Sequence, residues 1–363
     1  MQNYLARELA ALAKHPVSLR SSLPKSRKML QSIARALKEQ KHPPAQPQQR
    51  QEANAGADGV GTSGGCVPVL NPPAMSADSR QNKITVCGME LEGVSISGQE
   101  TSIIFPRAKV TFDIGRCPQR ACFQQTVLLS HTHLDHVGGL PFHVCTREML
   151  SLPPSRVLVP EGCAAGVRRL VDVARELQGS PPLDFEVVEL LPGEDHLLPS
   201  GYLCRCFRTS HPIMSQGYVL YSQRRKLKAE LVGKSQEEIR QLRLAGEDVT
   251  DTVTIPEIAF TGDTTAAFLD GPASPTLEDA LRARVLVMEM TFLCDDVTVD
   301  EAREKGHMHI ADFVAHAHRF QNEAIVLIHF SPRYKRTDIV SALNTMLPPT
   351  LMAKCVPLLN GIE

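Results

Sequence analysis

The stretch Ser130-His131-Thr132-His133-Leu134-Asp135-His136 is the densest chemical signal in the chain. It follows the strand-like run Thr126–Leu129 and leads into Gly138-Gly139 and a helical pattern. With 13 histidines in 363 residues, a His-x-His-x-Asp-His array arises by chance in on the order of one chain in a thousand. Imidazole and carboxylate groups are ligands for first-row metals. His131 and His133 alternate along an extended backbone and so project to one side. Asp135 and His136 follow on the turn. The segment can therefore serve two adjacent metal ions, which one His pair cannot. A two-metal hydrolytic site needs further ligands, and the sequence offers them where strands are predicted to end. His211 follows Leu203–Thr209, Asp263 sits in Phe260-Thr261-Gly262-Asp263-Thr264, and His329 sits in Ile328-His329-Phe330-Ser331.

Around these positions, short apolar runs alternate with helical periodicity. The runs predict strands at Ile84–Cys87, Val110–Ile114, Thr126–Ser130, Val157–Pro160, Phe185–Leu190, Leu203–Thr209, Gly217–Tyr221, Glu257–Thr261, Val285–Glu289 and Ile325–His329. Helices are predicted at Leu140–Leu150, Ala164–Gln178, Gln236–Ala245, Leu277–Ala283, Ile310–Phe320 and Lys335–Met346. Strands with helices interspersed in both halves imply one large α/β domain over residues 83–363, with sheets covered by helices.

The composition is that of a folded protein, 42% hydrophobic and 22% charged. No apolar run reaches the length of a membrane-spanning helix, and no secretory signal is expected. The net charge of −1 looks unlike a nucleic-acid-binding protein, but the charge is segregated. Residues 1–50 hold ten basic and two acidic side chains, a charge of +8, leaving −9 on the remainder. Residues 1–41 are basic, Ser-containing and acid-poor with helical periodicity. They read as a transit peptide for a plastid or mitochondrion, with cytoplasm or nucleus as the alternative. Residues 42–80, rich in Pro, Gln, Gly, Ala and Ser, are expected to be a disordered linker. The ten cysteines form no Cys-x-x-Cys pair. They are expected as thiols, with Cys204 and Cys206 buried on one strand face.

The order His-x-His-x-Asp-His, single His, Gly-Asp after a strand, single His resembles the metallo-β-lactamase superfamily. That resemblance implies an αββα four-layer sandwich and two zinc ions per chain, with other divalent metals as alternatives. It groups His131, His133 and His211 on one ion, Asp135, His136 and His329 on the other, and places Asp263 between them. Glu289 in Val287-Met288-Glu289-Met290-Thr291-Phe292, with Gly306-His307-Met308-His309-Ile310, resembles the paired Glu and His motifs of ribonuclease Z. Asp113-Ile114-Gly115-Arg116-Cys117-Pro118-Gln119-Arg120 resembles that family's Gly- and Gln-containing turn, and the closing His329-Phe330-Ser331-Pro332-Arg333-Tyr334 fits its short plant and algal type, a resemblance that covers about 250 residues. The family's activity is removal of the 3′ trailer from precursor tRNA, 3′ of the discriminator nucleotide. The resemblance implies that Asp135 orients the attacking water and that His307, held by Glu289, protonates the leaving oxygen. His309 is the weaker candidate for that role and is alternatively a helix cap. A homodimer acting without a membrane is also implied.

The chain departs from the wider family in two places. Glu92–Pro106 lacks the Pro/Lys/Arg/Asn loop of the bacterial and long-form enzymes, and the long Gly/Pro-bearing tRNA-clamping arm is missing. In its place a short basic insert lies near residues 222–252. Residues 224–243 carry seven basic and three acidic side chains, and Arg224, Arg225, Lys226 and Lys228 are the candidate RNA contacts. Two other functions compete: a glyoxalase-II-like thioesterase on the same fold, and a catalytically silent RNA-binding relative.

Overall fold

The computed structural model describes residues 83–294 and 296–363. The expectations for residues 1–41 and 42–80 lie outside the described residues. Two seven-stranded sheets make up the domain. The first runs in order through β1 (Lys83–Val86), β2 (Met89–Ile96), β3 (Glu100–Phe105), β4 (Val110–Phe112), β5 (Thr126–Leu128), β6 (Ser155–Val159) and β7 (Phe185–Glu189). The second runs through β8 (His196–Leu197), β9 (Leu203–Arg208), β10 (Gln216–Leu227), β11 (Thr250–Phe260), β12 (Val285–Glu289), β13 (Ala324–Ile328) and β14 (Cys355–Pro357). Each sheet opens with three antiparallel pairings and ends with three parallel ones.

The strand alternation explains the layering. Successive side chains point to opposite faces, and both faces are apolar, as strands buried on both sides require. On β13, Ala324, Val326 and Ile328 face the first sheet, where they pack with Phe112, Leu128 and Leu158. Ile325 and Leu327 face outward, into a layer with Leu277, Leu281, Phe313, Ile339 and Leu343. Those residues come from the helices Pro275–Arg282, Ile310–Ala315 and Arg336–Met346. On the far side, Val127, Leu129, Val157 and Val159 meet Leu140, Val144, Val167 and Val171 of the helices Leu140–Met149 and Ala164–Leu177. The result is the four-layer αββα sandwich expected from the sequence. Cys204 and Cys206 lie buried between the sheets, as their alternation predicted.

Several elements differ from expectation, each for a local reason. β2 and β3 were not foreseen because small and polar residues break the apolar pattern. Their interior positions include hydroxyl pairs, Ser95 Oγ with Thr101 Oγ1 at 3.0 Å and Ser102 Oγ with Thr111 Oγ1 at 3.1 Å, which satisfy each other inside the sheet. The helix expected over Ile310–Phe320 ends at Ala315 and tightens to a 3-10 turn at Ala317–Arg319. The basic insert is mainly a β-ribbon. β10 runs on past Tyr221 to Leu227 and pairs with β11 from Thr250, in the register Arg224 to Val253, Arg225 to Thr252 and Lys226 to Asp251. Both faces of this ribbon are solvated at Gln223–Lys226, so no alternation marked it as strand. At its tip lies the helix Gln236–Leu244, started by a capping box between Ser235 and Glu238.

Candidate metal centre

Seven prospective ligands converge where strands of both sheets end. His131, His133, Asp135 and His136 come from the loop and short helix after β5, His211 from the loop after β9, Asp263 from the turn after β11, and His329 from the residue after β13. All seven ligands read from the sequence are brought together.

The first group is His131, His133 and His211. Its hydrogen bonds settle which nitrogen faces the site. Ser130 Oγ donates to Asp113 Oδ2 at 2.7 Å, so it accepts from Nδ1–H of His131 at 3.0 Å. His211 Nδ1–H donates to the Gly306 carbonyl at 2.9 Å. Gly306 has φ of +81°, and a methyl group there would sit 2.2 Å from Pro212, so only glycine lets this carbonyl reach His211. With those hydrogens committed, Nε2 of His131 and Nε2 of His211 both point lone pairs at Nδ1 of His133, at 3.1 Å each. Three nitrogens bound tetrahedrally to one zinc at about 2.0–2.1 Å stand about 3.3–3.4 Å apart, so the donor set fits such an ion. Burial keeps His131 well below the usual imidazole value, helped by the neighbouring His136. Burial also lowers His211. Both imidazoles are therefore neutral, the form that binds metal.

The second group is Asp135, His136 and His329. His136 Nδ1–H donates to Asp113 Oδ2 at 2.8 Å. Thr291 Oγ1 donates to Glu289 Oε2, so it accepts from His329 Nδ1–H at 3.0 Å. Their Nε2 atoms are 3.4 Å apart, and Asp135 Oδ2 lies 3.6 Å from one and 3.7 Å from the other. The backbone N–H of Gly98, in the β2–β3 turn, holds that same oxygen at 2.9 Å. Asp263 stands between the groups, its Oδ2 3.7 Å from His131 Nε2, 3.2 Å from His136 Nε2 and 3.4 Å from His329 Nε2. Burial works against the charge on Asp263, but His136 and His329 hold its carboxyl well below the usual range. Burial likewise opposes a proton on His136, yet Asp263 and Asp113 raise it well above the ordinary value. Buried carboxylates that favour positive charge on the facing imidazole Nε2 atoms make a cation-attracting cluster, in which a metal ion would displace the proton of His136.

Glu289 ends β12, fully buried, and its two oxygens are fully used. Oε1 accepts from Thr264 N–H at 2.7 Å and His307 Nδ1 at 3.1 Å, and Oε2 accepts from Met308 N–H at 3.1 Å and from Thr291. His307 thus turns Nε2 away from Glu289. Its ring stacks 5.4 Å from that of His329 and stands 5.4 Å from that of His211. His309 is the helix cap: its Nδ1 accepts from Ala311 N–H at 3.1 Å, and the residue is buried. Arg224, Arg225 and Lys226 are exposed on the ribbon and Lys228 is partly buried at its end. None of the four belongs to the His/Asp cluster, and Arg224 lies 3.7 Å from Glu257.

The sequence reading assigned no role to Asp113, Ser130 or Thr291. Asp113 was inside a quoted motif, and an acidic residue that ends an apolar strand was the available signal. It is wholly buried, accepts from Ser130 N–H at 2.7 Å as well as from Ser130 Oγ and His136, and holds φ at +55°. A non-glycine residue in that region costs about 1–3 kcal/mol, offset here by three hydrogen bonds. Ser130 Oγ and His136 Nδ1 share Oδ2, and Ser130 N–H takes Oδ1, so replacing Asp113 with Asn leaves one acceptor oxygen for three donors and sets an NH2 against one of them. Metal affinity should fall by about 10–100-fold with the far-UV circular dichroism unchanged. Wild-type affinity in a metal titration of Asp113→Asn would refute this orienting role.

No family model matches the chain. The chain is 44% identical over 282 residues to tRNase Z TRZ1 of Arabidopsis thaliana, covering 78% of this chain and 99% of that protein. It is 39% identical over 273 residues to the chloroplastic tRNase Z TRZ2 of the same plant, covering 75% and 76%. Among solved structures, the short form of human tRNase Z superposes with a TM-score of 0.47 at 19% identity, covering 74% of this chain and 94% of its own. With that identity across almost all of a tRNase Z, and with the His/Asp cluster and the Glu289–His307 pair in place, the chain belongs to the tRNase Z (ribonuclease Z) family and is an endoribonuclease of the metallo-β-lactamase fold.

Proposed function

We propose that this protein removes the 3′ trailer from precursor tRNA, cutting 3′ of the discriminator nucleotide with two zinc ions bound. The observation that carries the reading is the Glu289–His307 pair abutting both ligand groups. His131, His133 and His211 would hold one ion, Asp135, His136 and His329 the other, with Asp263 shared between them. When bound, the ions would supply Lewis acidity to the phosphoryl oxygens and a water molecule of lowered pKa.

The chain's own groups account for the proton movements. Asp135, fixed by Gly98 N–H, orients the attacking water and takes its proton. Burial pulls His307 down, but the charges of Glu289 and Asp263 outweigh it and raise it to about 9. The ring is therefore protonated at neutral pH. As the bond from phosphorus to O3′ breaks, His307 passes a proton from Nε2 to O3′. The tRNA keeps a 3′-OH and the trailer a 5′-phosphate. Glu289 supports the imidazolium throughout. The pair is an acid for an alkoxide leaving group, which thioester cleavage does not need, and this favours RNA over the glyoxalase-like reading.

Cleavage of a 3′-extended precursor tRNA, with the product end mapped and a thioester as comparison, tests the assignment. His307→Ala should keep its metal and slow cleavage by about 10²–10⁴-fold. The wild-type rate should decline as pH rises through about 9, and the variant should lose that decline. Loss of metal from His307→Ala would sink the division of roles. His131→Ala should lose metal and activity together.

The ribbon supports backbone contact with the substrate. Its returning half adds Glu247, Asp248 and Asp251, so residues 222–252 carry seven basic and six acidic side chains. The basic surface is thus local to the outgoing strand. Neutralising Arg224, Arg225, Lys226 and Lys228 together should weaken tRNA binding and flatten its salt dependence by about 0.7–0.9 for each phosphate no longer neutralised. Unchanged affinity would rule out the ribbon as a tRNA-binding element.

We also propose that two copies pair. Leu134, Phe142, Met149, Val173 and Leu177 are exposed on the helices that cover the first sheet and offer apolar side chains for such a contact. Sedimentation should give a dimer for the wild type and a monomer for Phe142→Asp/Leu177→Asp; a monomeric wild type rejects the pairing.

A further inference from the structure

Cys117, two residues ahead of the 3-10 turn Gln119–Phe123, and Cys122, within it, stand with their sulfurs 3.3 Å apart. A disulfide needs about 2.05 Å, so the sulfurs have about 1.2 Å to close. The two cysteines are anchored differently. The carbonyl of Cys122 accepts from the guanidinium of Arg147 at 2.8 Å, as does that of Gln124, and Arg147 also donates to the Pro153 carbonyl. Arg147 is itself buried, so this end is rigid. The Cys117 end belongs to the loop that leaves Asp113. A methyl group on Gly115 would fall 1.7 Å from the Asp135 carbonyl oxygen, and one on Gly139 would fall 2.6 Å from Cys117 N. Ile114 N–H donates to the His136 carbonyl at 2.7 Å, and Gly139 N–H donates to the Ile114 carbonyl at 2.8 Å. Cys117 therefore sits on backbone packed against the metal motif.

We propose that Cys117 and Cys122 are an oxidisable dithiol, a modification site for small-molecule disulfides, and that closing it tethers the 113–123 loop beneath the metal motif. The chemistry balances with the oxidant named. One thiolate attacks a disulfide RSSR, releasing RS⁻ and leaving a mixed disulfide on the protein. The second cysteine sulfur attacks the protein sulfur of that adduct, forms the Cys117–Cys122 bond and releases the second RS⁻. Two thiols are oxidised to one disulfide, and RSSR is reduced to two RSH. Cys117 is the partly exposed sulfur that RSSR can reach, and Cys122, buried behind it, closes the bond.

The test uses the full chain, glutathione disulfide and alkylation of residual thiols before digestion with trypsin. Trypsin cuts after Arg116, Arg120 and Arg147, separating Cys117 from Cys122. The expected product is a linked pair, 117–120 with 121–147, with fragmentation placing the bond on Cys122 rather than Cys145, and with release by dithiothreitol. Both sulfurs alkylated, or separate glutathione adducts with no link, would overturn the site. The tether is read from precursor-tRNA cleavage: the oxidised protein should differ at least 3-fold in rate from the reduced one, and Cys117→Ser should not respond to glutathione disulfide. A linked protein whose rate is unchanged, or a response that persists in Cys117→Ser, overturns the tether.

Discussion

A single buried carboxylate, that of Asp113, carries the arrangement on which the metal-binding side of the molecule rests. It lies just past β4, in a left-handed backbone conformation, and accepts from the backbone and hydroxyl of Ser130 and from His136. Through Ser130 it fixes the ring of His131, and directly it fixes the ring of His136, so one residue sets an imidazole in each ligand group. The carboxylate thereby settles the acceptor at Nδ1 of both rings, through Ser130 for His131 and directly for His136, and turns both Nε2 atoms toward the cluster. An uncharged substitute would leave at least one buried donor without a partner, and in a low-dielectric interior that is expensive.

Glu289 plays the matching part in the second sheet. It takes two backbone N–H groups, the hydroxyl that orients His329, and His307. The same oxygens therefore hold His329 and His307 in fixed relation. A change at Glu289 would disturb both, whereas a change at His307 would disturb one. Of the two, only a change at His307 leaves the support of His329 in place.

The ligands and the layering were legible in the sequence because each leaves a local mark. His131 to His136 are contiguous, and His211, Asp263 and His329 each follow an apolar run. The strands that were read correctly, such as β12 and β13, are continuous apolar segments buried on both faces. What escaped shares one physical property: its pattern is set by partners far away in the chain. β2 and β3 hide serine and threonine hydroxyls that become acceptable only when paired across the sheet. The outer ribbon of β10 and β11 has no buried face at all beyond Tyr221. Asp113 is recognisable only once His136, 23 residues on, folds back onto it. His309, the weaker candidate and alternative cap in the sequence, is the cap: its Nδ1 meets the Ala311 N–H.

The repeated strand pattern has one further consequence. Each sheet is a meander followed by parallel strands, and the ligand set is divided between them: four side chains come from the half that builds the first sheet, three from the half that builds the second. Neither half holds the complete cluster. Metal affinity is thus in part affinity of one half of the domain for the other, and a bound ion would act as a rivet across the seam. Chelation should loosen that seam before it loosens either sheet, so amide exchange should quicken first in the loops after β5, β9, β11 and β13, with the strands behind them following only at global unfolding.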